Sequence, residues 1–334
     1  MKGKVTMKTP LIASGLILAA GMASADTPVL TIYTYDSFTS DWGPGPAVEA
    51  AFEETCGCDL QFVGAGDGAS LLARLRLEGD STDADIVLGL DTNLIAAARE
   101  TGLFADHGVD ASNLTLPVAW QDDQFLPFDW GYFAFVHDTD MQNVPTSFTA
   151  LAESDARIVI QDPRSSTPGL GLLMWVKYVY GDAAEAVWEA LADNIVTVTP
   201  GWSEAYGLFL EGEADMVLSY TTSPAYHLIA EEDDTRTAAL FDAGHYLQIE
   251  VAGMVEGSDH ADLARDFLAF MLTPAFQSVI PTTNWMYPAA LPASDLPEGF
   301  DTLIQPQPGL IFTPEEAAAL RDEALEEWRA ALSQ

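Results

Sequence analysis

Ser219, Tyr220, Thr221, Thr222, Ser223, Pro224, Ala225 and Tyr226 follow directly on the strand-like Asp215-Met216-Val217-Leu218, so four hydroxyls and two phenols leave a core element together. A turn needs Ser, Thr and Pro for its backbone geometry, but two tyrosines six residues apart offer more aromatic surface than a turn requires. The combination describes a wall that holds a flat, polar ligand.

Other segments carry related chemistry. Gly64-Ala65-Gly66-Asp67-Gly68-Ala69 lies between a predicted strand and a predicted helix and fits the G-x-G-x-x-A form of the dinucleotide fingerprint. Asp67 puts a carboxylate where a pyrophosphate must approach, so the better reading is a loop that opens a helix beside a cleft, with Asp67 facing a cation or offering its backbone to a ligand. Ser165-Ser166-Thr167-Pro168-Gly169 opens a second helix, with Thr167 suited to the N-cap and Pro168 to the first helical position. Free amides and hydroxyls at a helix start attract an anion or a polar oxygen.

Gly201-Trp202-Ser203-Glu204 begins a third helix, and Thr283-Asn284-Trp285-Met286-Tyr287-Pro288 follows a helix that ends near Ile280. A lone loop tryptophan usually packs, but Trp285 beside Asn284 and Pro281 in a polar loop reads as ligand wall. Tyr33, Tyr35, Asp36 and Ser37 end the first strand, at the edge where open α/β sheets bind ligands.

Patterns for catalysis are weak: there is no G-x-S-x-G, no H-E-x-x-H and no Walker loop. The histidines His107, His137, His227, His245 and His260 show no ligand spacing, so no metal site is expected. Cys56 and Cys58 flank a single glycine; in an oxidising compartment they can pair across a tight loop, or stay as two thiols.

These segments hang on an alternation of strand and helix. Val29–Tyr35, Asp59–Val63 and Ala84–Leu90 read as strands, with helices at Ala47–Glu54, Ala69–Glu78 and Leu94–Thr101. After a long central segment the pattern resumes with a strand at Arg157–Ile160, helices at Gly169–Tyr180, Ala183–Ala192 and Glu204–Glu211, and a strand at Asp215–Tyr220. Such alternation predicts two α/β units, each with a parallel sheet covered on both faces. The extended Phe125–Val136 and His245–Ala252 cross between the units and supply two hinge strands.

The first 25 residues have a basic flank, a short apolar run from Leu11 to Ala20 and Ala23-Ser24-Ala25, which predicts a secretory signal cleaved near Ala25 and Asp26. An exported, soluble protein is expected. Three of the 13 basic residues lie in that leader, leaving 10 against 51 acids, a balance of −41. That charge repels nucleic acid and anionic lipid and raises the local concentration of a cation. Acids such as Glu231-Glu232-Asp233-Asp234 and Glu323, Glu326 and Glu327 read chiefly as solvated faces.

Seven blocks of sequence (Val29–Phe38, Asp41–Pro46, Gln161–Arg164, Ser166–Gly171, Gly201–Gly207, Leu218–Tyr226 and Asn284–Pro288) together make the chain resemble the bacterial periplasmic thiamine-binding proteins of ABC importers. The likeness runs over essentially the whole chain after the leader. It implies an α/β, two-lobed type II periplasmic binding fold with the cleft between lobes and two extended hinge crossings. Approximate lobes are 26–128 plus 246–282 and 129–245 plus 283–334.

It also implies capture of thiamine, and of its mono- and diphosphate, for an inner-membrane permease driven by a cytoplasmic ATPase, with no catalytic residues and no cofactor. Ligand contacts by resemblance are Asp67, Gly68, Ser166, Thr167, Trp202, Tyr220, Thr221, Thr222 and Ser223, with Tyr35, Tyr226 and Trp285 stacking. The Cys56 and Cys58 pair has its counterpart in that family. The competing readings are a thiamine-degrading transferase, which needs a cleft cysteine as nucleophile, and a receptor for polyamines or ferric iron on the same scaffold.

Overall fold

The computed structural model describes residues 1–3 and 27–333. The apolar run of the expected leader and its cleavage point lie outside the described residues. The strands are β1 (Val29–Thr34), β2 (Asp59–Gly64), β3 (Ile86–Asp91), β4 (Leu126–Asp138), β5 (Ile158–Gln161), β6 (Ile195–Thr199), β7 (Met216–Tyr220), β8 (Arg236–Ala238), β9 (His245–Met254), β10 (Tyr287–Pro288) and β11 (Gly309–Leu310).

Hydrogen bonding runs in the order β2-β1-β3-β9-β4-β7-β5-β6. The β1, β2 and β3 group is parallel, as is the β5, β6 and β7 group. Between the two groups, β4 and β9 are antiparallel to each other and to their outer neighbours. The first half of β4 pairs with β9, and its second half with β7 and β8. These two strands are therefore the crossings that join one α/β unit to the other, as the extended aromatic segments predicted.

Val, Ile and Leu dominate β1 and β3, and helices cover both sides, so these strands are buried almost throughout. Phe38, Phe52, Phe128, Phe267 and Phe276 form an aromatic core in the first unit, and Phe135, Phe148, Trp175 and Phe241 form one in the second. Cys56 and Cys58 are joined in a disulfide at the end of the Gly45–Cys56 helix, which answers the open question of their pairing.

Several local expectations shift. The second-unit helix starts at Thr167, so Ser166, not Thr167, holds the N-cap position, and its hydroxyl makes no bond to the helix amides. The segment from Ser219 to Tyr226 is not one turn: β7 runs to Tyr220, and a new helix begins at Pro224, whose fixed φ suits a first helical turn.

Strand β6 and the helix Pro314–Leu332 were not foreseen. The latter opens on a capping box between Thr313 and Glu316. Its Glu323 and Glu327, expected on a solvated face, both accept from Lys177 Nζ at 2.7 Å and so fix this helix to Thr167–Tyr180.

Candidate functional site

A cleft of about 540 Å³ opens where β4 and β9 pass between the two units. Gln248 and Glu250 line it from β9; two residues apart on a strand, they share a face. Glu250 is in register with Asp91 of β3 on one side and with Asp129 of β4 on the other. Three acids thus stand side by side across three adjacent strands, and they are 0%, 5% and 0% exposed in the order Asp91, Glu250, Asp129. None of the ion pairs among the described residues includes any of the three.

Hydrogen bonds tie this row to the cleft wall. Tyr35 donates its hydroxyl proton to Glu250 Oε2 at 3.0 Å, and Asn284 Nδ2 donates to the Tyr35 hydroxyl at 2.8 Å and to Asp129 Oδ2 at 2.6 Å. Burial pushes the Asp129 carboxyl up to about 7, and burial together with the Asp129 charge pushes Glu250 well above the carboxylate range. Asp91 rises to about 6 for the same primary reason, relieved by Asn93 and by the Arg321 charge. Burial and the charges of Glu250, Asp67, Asp129 and Asp91 keep the Tyr220 phenol protonated. A buried negative row without a cation is costly, so the site is built for positive charge.

Aromatic rings form the opposite wall. Tyr226 and Trp285 meet edge to face at 5.4 Å, and Trp202 stacks on Tyr206 at 5.0 Å. Trp285 adopts φ 57°, a left-handed conformation that costs a bulky residue energy and marks a position held for its side chain. Tyr226 donates to Glu231 Oε1, while His227 faces Glu231 Oε2 and the Tyr206 hydroxyl, so one carboxylate braces the wall from outside. Glu231 is exposed, as expected of a solvated face, while it makes these bonds. The structure also brings Asp233 close, with ligand atoms of His227, Glu231 and Asp233 within 4.8 Å of one another. At the mouth, Trp42 from the first unit approaches Trp202 from the second, with ring centroids 6.3 Å apart.

Tyr35 was expected to stack with Tyr226 and Trp285. It lines the cleft, but its ring packs edge-on against Phe38 and its hydroxyl serves Glu250. Gly89 makes this possible, since a Cβ there would fall 2.3 Å from the Tyr35 ring.

Asp67 caps the Gly68–Glu78 helix and faces the cleft. Its carboxylate accepts from Ser166 Oγ at 2.7 Å, Thr167 Oγ1 at 3.2 Å and the Gly68 amide at 3.0 Å. Burial raises its pKa although these donors favour the ionised form. Gly68, Ser166 and Thr167, expected as ligand contacts, therefore converge on the chain's own carboxylate. Their donors at two helix starts form an anion cradle that Asp67 fills.

The hydroxyl run divides. Tyr220 and Ser223 line the cleft. Thr221 and Thr222 are fully buried, with Thr222 Oγ1 directed at Met286 Sδ, 3.7 Å away. Ser219 Oγ accepts from the Trp202 indole at 2.8 Å and pairs with Ser223 Oγ at 2.7 Å, so these hydroxyls chiefly hold the turn and aim Trp202. Of the twelve residues expected in the site, Tyr35, Asp67, Trp202, Tyr220, Ser223, Tyr226 and Trp285 line the cleft, whereas Gly68, Ser166, Thr167, Thr221 and Thr222 support it.

Sequence reasoning missed Asp91, Asp129, Gln248 and Glu250. The signal was there: single polar residues interrupting apolar strands, as in Phe128-Asp129-Trp130 and Leu247-Gln248-Ile249-Glu250-Val251. Gln248 is fully buried with neither amide atom bonded, a free donor and acceptor beside Glu250.

Two α/β units, two crossing strands and an acid-floored, aromatic-walled cleft define a solute receptor, and the chain belongs to the bacterial extracellular solute-binding protein family, whose profile matches residues 36–278. Within it the chain is similar to the thiamine-binding periplasmic protein of Escherichia coli strain K12, 57% identical over 309 residues that cover 92% of this chain and 94% of that protein. The thiamine-binding periplasmic protein of Salmonella typhimurium is 56% identical over 321 residues, covering 95% and 97%. A solved periplasmic thiamin binding protein superposes with a TM-score of 0.90 at 56% identity, over 92% of this chain and 97% of that one. Among the described residues no helix is long and apolar enough to cross a membrane.

Proposed function

We propose that this chain captures thiamine in the periplasm and delivers it to an ABC import permease, without catalysing a reaction and without a cofactor. The carrying observation is the buried row Asp91, Glu250 and Asp129 beneath a cleft walled by Trp202, Tyr226 and Trp285. Thiamine joins a permanently cationic thiazolium to a flat aminopyrimidine and a hydroxyethyl arm. The acid row and the ring faces serve the cation, each ring contact being worth about 0.5 to 2 kcal/mol according to desolvation. The unbonded Gln248 amide offers the pyrimidine one donor and one acceptor. Relatives more than half identical that carry the name thiamine-binding periplasmic protein support the same ligand.

The phosphate esters belong to the proposal as well. Rotation of Asp67 out of its cradle frees the Gly68 amide and the Ser166 and Thr167 hydroxyls for a phosphate on the arm. A transferase is disfavoured by chemistry: the cysteines of the chain, Cys56 and Cys58, are bonded to each other. Ferric capture needs phenolates, and burial beside acids holds Tyr35 and Tyr220 protonated.

Calorimetry on refolded, ligand-stripped protein with thiamine, thiamine monophosphate, thiamine diphosphate, putrescine and ferric citrate tests the reading. Thiamine or an ester should bind tightest; a preference for putrescine or iron would overturn it.

A further inference from the structure

We infer that Asp129 and Glu250 hold one proton between them in the empty receptor and release it when the cationic ring enters, so that ligand charge replaces proton charge. This rests on the thiamine reading and concerns how the same site selects its ligand.

The geometry makes the case. Asp129 and Glu250 are direct partners across the β4 and β9 pair, where like charges repel most strongly. Both are almost wholly buried. Asp129 Oδ2 is satisfied by Asn284, but Asp129 Oδ1 is buried with no donor. A proton on Glu250 gives that oxygen its missing hydrogen bond, and such a bond stabilises ionised Asp129. One proton thus removes a charge and satisfies an acceptor at once.

Among the described residues no ion pair reaches Asp129 or Glu250. Glu250 faces Tyr35 just past the end of β1, Asp91 from β3, Asp129 from β4, and the charge of Asp67 at the helix start. Tyr220 of β7 adds a phenol, and Asn284 an amide. The Arg321 charge acts on Asp91, at the far end of the row from Asp129.

Because β4 and β9 are also the crossings between units, the proton sits at the hinge and the ligand meets it there. The step balances simply: Glu250 loses H⁺ to buffer as the thiazolium takes its place, with no bond to the ligand formed. A quaternary cation cannot donate a proton of its own, so it is distinguished from neutral rings of the same shape by the charge it brings to this pair.

The test is calorimetry of the ligand-stripped full-length mature protein with thiamine in buffers of differing ionisation enthalpy at slightly acidic pH. Release approaching one proton per thiamine is expected, with affinity rising up to about tenfold per pH unit below the titration of the pair and levelling above it. The neutral analogue carrying thiophene in place of thiazolium should bind without releasing a proton. Asp129→Asn and Glu250→Gln should each abolish both release and pH slope.

Tight thiamine binding with no release, or release that persists undiminished in Asp129→Asn and Glu250→Gln, would overturn the inference and leave the receptor reading standing. Failure of the wild-type protein to bind thiamine would remove the receptor reading itself.

Discussion

Asp67 of the first unit and Ser166 of the second are joined at 2.7 Å across 99 residues of chain, so each lobe supplies one half of the bond. A second bond between units, Ser70 N to Ser165 O at 3.1 Å, lies beside it. The carboxylate of Asp67 stands where helix amides and hydroxyls would otherwise attract an anion.

Asp67→Asn should therefore alter selectivity. Removing the carboxylate charge from the cradle lowers repulsion toward a phosphate, and the ratio of thiamine monophosphate to thiamine affinity should rise about tenfold, or about 1.4 kcal/mol. Competition calorimetry with both ligands measures the ratio; an unchanged ratio would count against a phosphate seat at Ser166 and Thr167.

The two units approach closely at Gly68. A Cβ at this position would lie 2.4 Å from Thr167 Oγ1 and 3.0 Å from the Gly89 carbonyl. Gly68→Ala should hold the helix starts apart, weakening ligand binding about tenfold through a less populated closed state. Small-angle scattering of the ligand-bound variant should give a larger radius of gyration than wild type.

Trp285 and Tyr226 predict a separation of affinity from stability. Trp285→Ala and Tyr226→Ala should each lose roughly ten- to a hundredfold in thiamine affinity, the range for a desolvated cation over a ring plus lost contact area. The melting temperature of the empty protein should stay near wild type. At Trp285, whose φ is 57°, the Gly variant should melt no lower than the Ala variant, because glycine adopts that backbone freely. Near wild-type binding by both alanine variants would sink the assigned cleft.

Stability of the empty protein should carry the mark of the acid row. Burial raises Asp129 from 3.8 to about 7 and lifts its neighbour Glu250 as well, so in the native state the pair holds a proton that the unfolded chain has already lost. The stabilisation is complete below the unfolded value and disappears as pH rises through about 7, with a slope of at most about 1.4 kcal/mol per pH unit. His245, pushed down to about 4 by burial, acts in the opposite sense between about 4 and 6.5. The informative quantity is the wild-type slope minus that of Asp129→Asn, from urea unfolding along a pH series. A difference of zero would mean that the Asp129 and Glu250 pair holds no proton in the native state.

Much of the architecture was legible because apolar runs and their breakers are local. Val29 to Thr34 and Gly169 to Tyr180 carry their periodicity on their face, and the aromatic crossing from Phe125 to Val136 was long enough to demand a strand. The Ser219 to Tyr226 segment was legible as a site but not in its division of roles, since Thr221 and Thr222 depend on neighbours such as Met286, 64 positions from Thr222. The acid row was hidden for a related reason. Asp91, Asp129 and Glu250 lie far apart in sequence, and strand register makes them adjacent. Against a background of 51 acids, three buried ones leave no compositional trace.

The approach of Trp42 to Trp202 at the mouth of the cleft joins rings from opposite lobes, one of them 53% exposed. Opening the lobes must move one indole from its neighbour into water. The receptor thus carries its own optical gauge of closure: tryptophan emission should shift as ligand arrives, letting capture be timed without any attached dye.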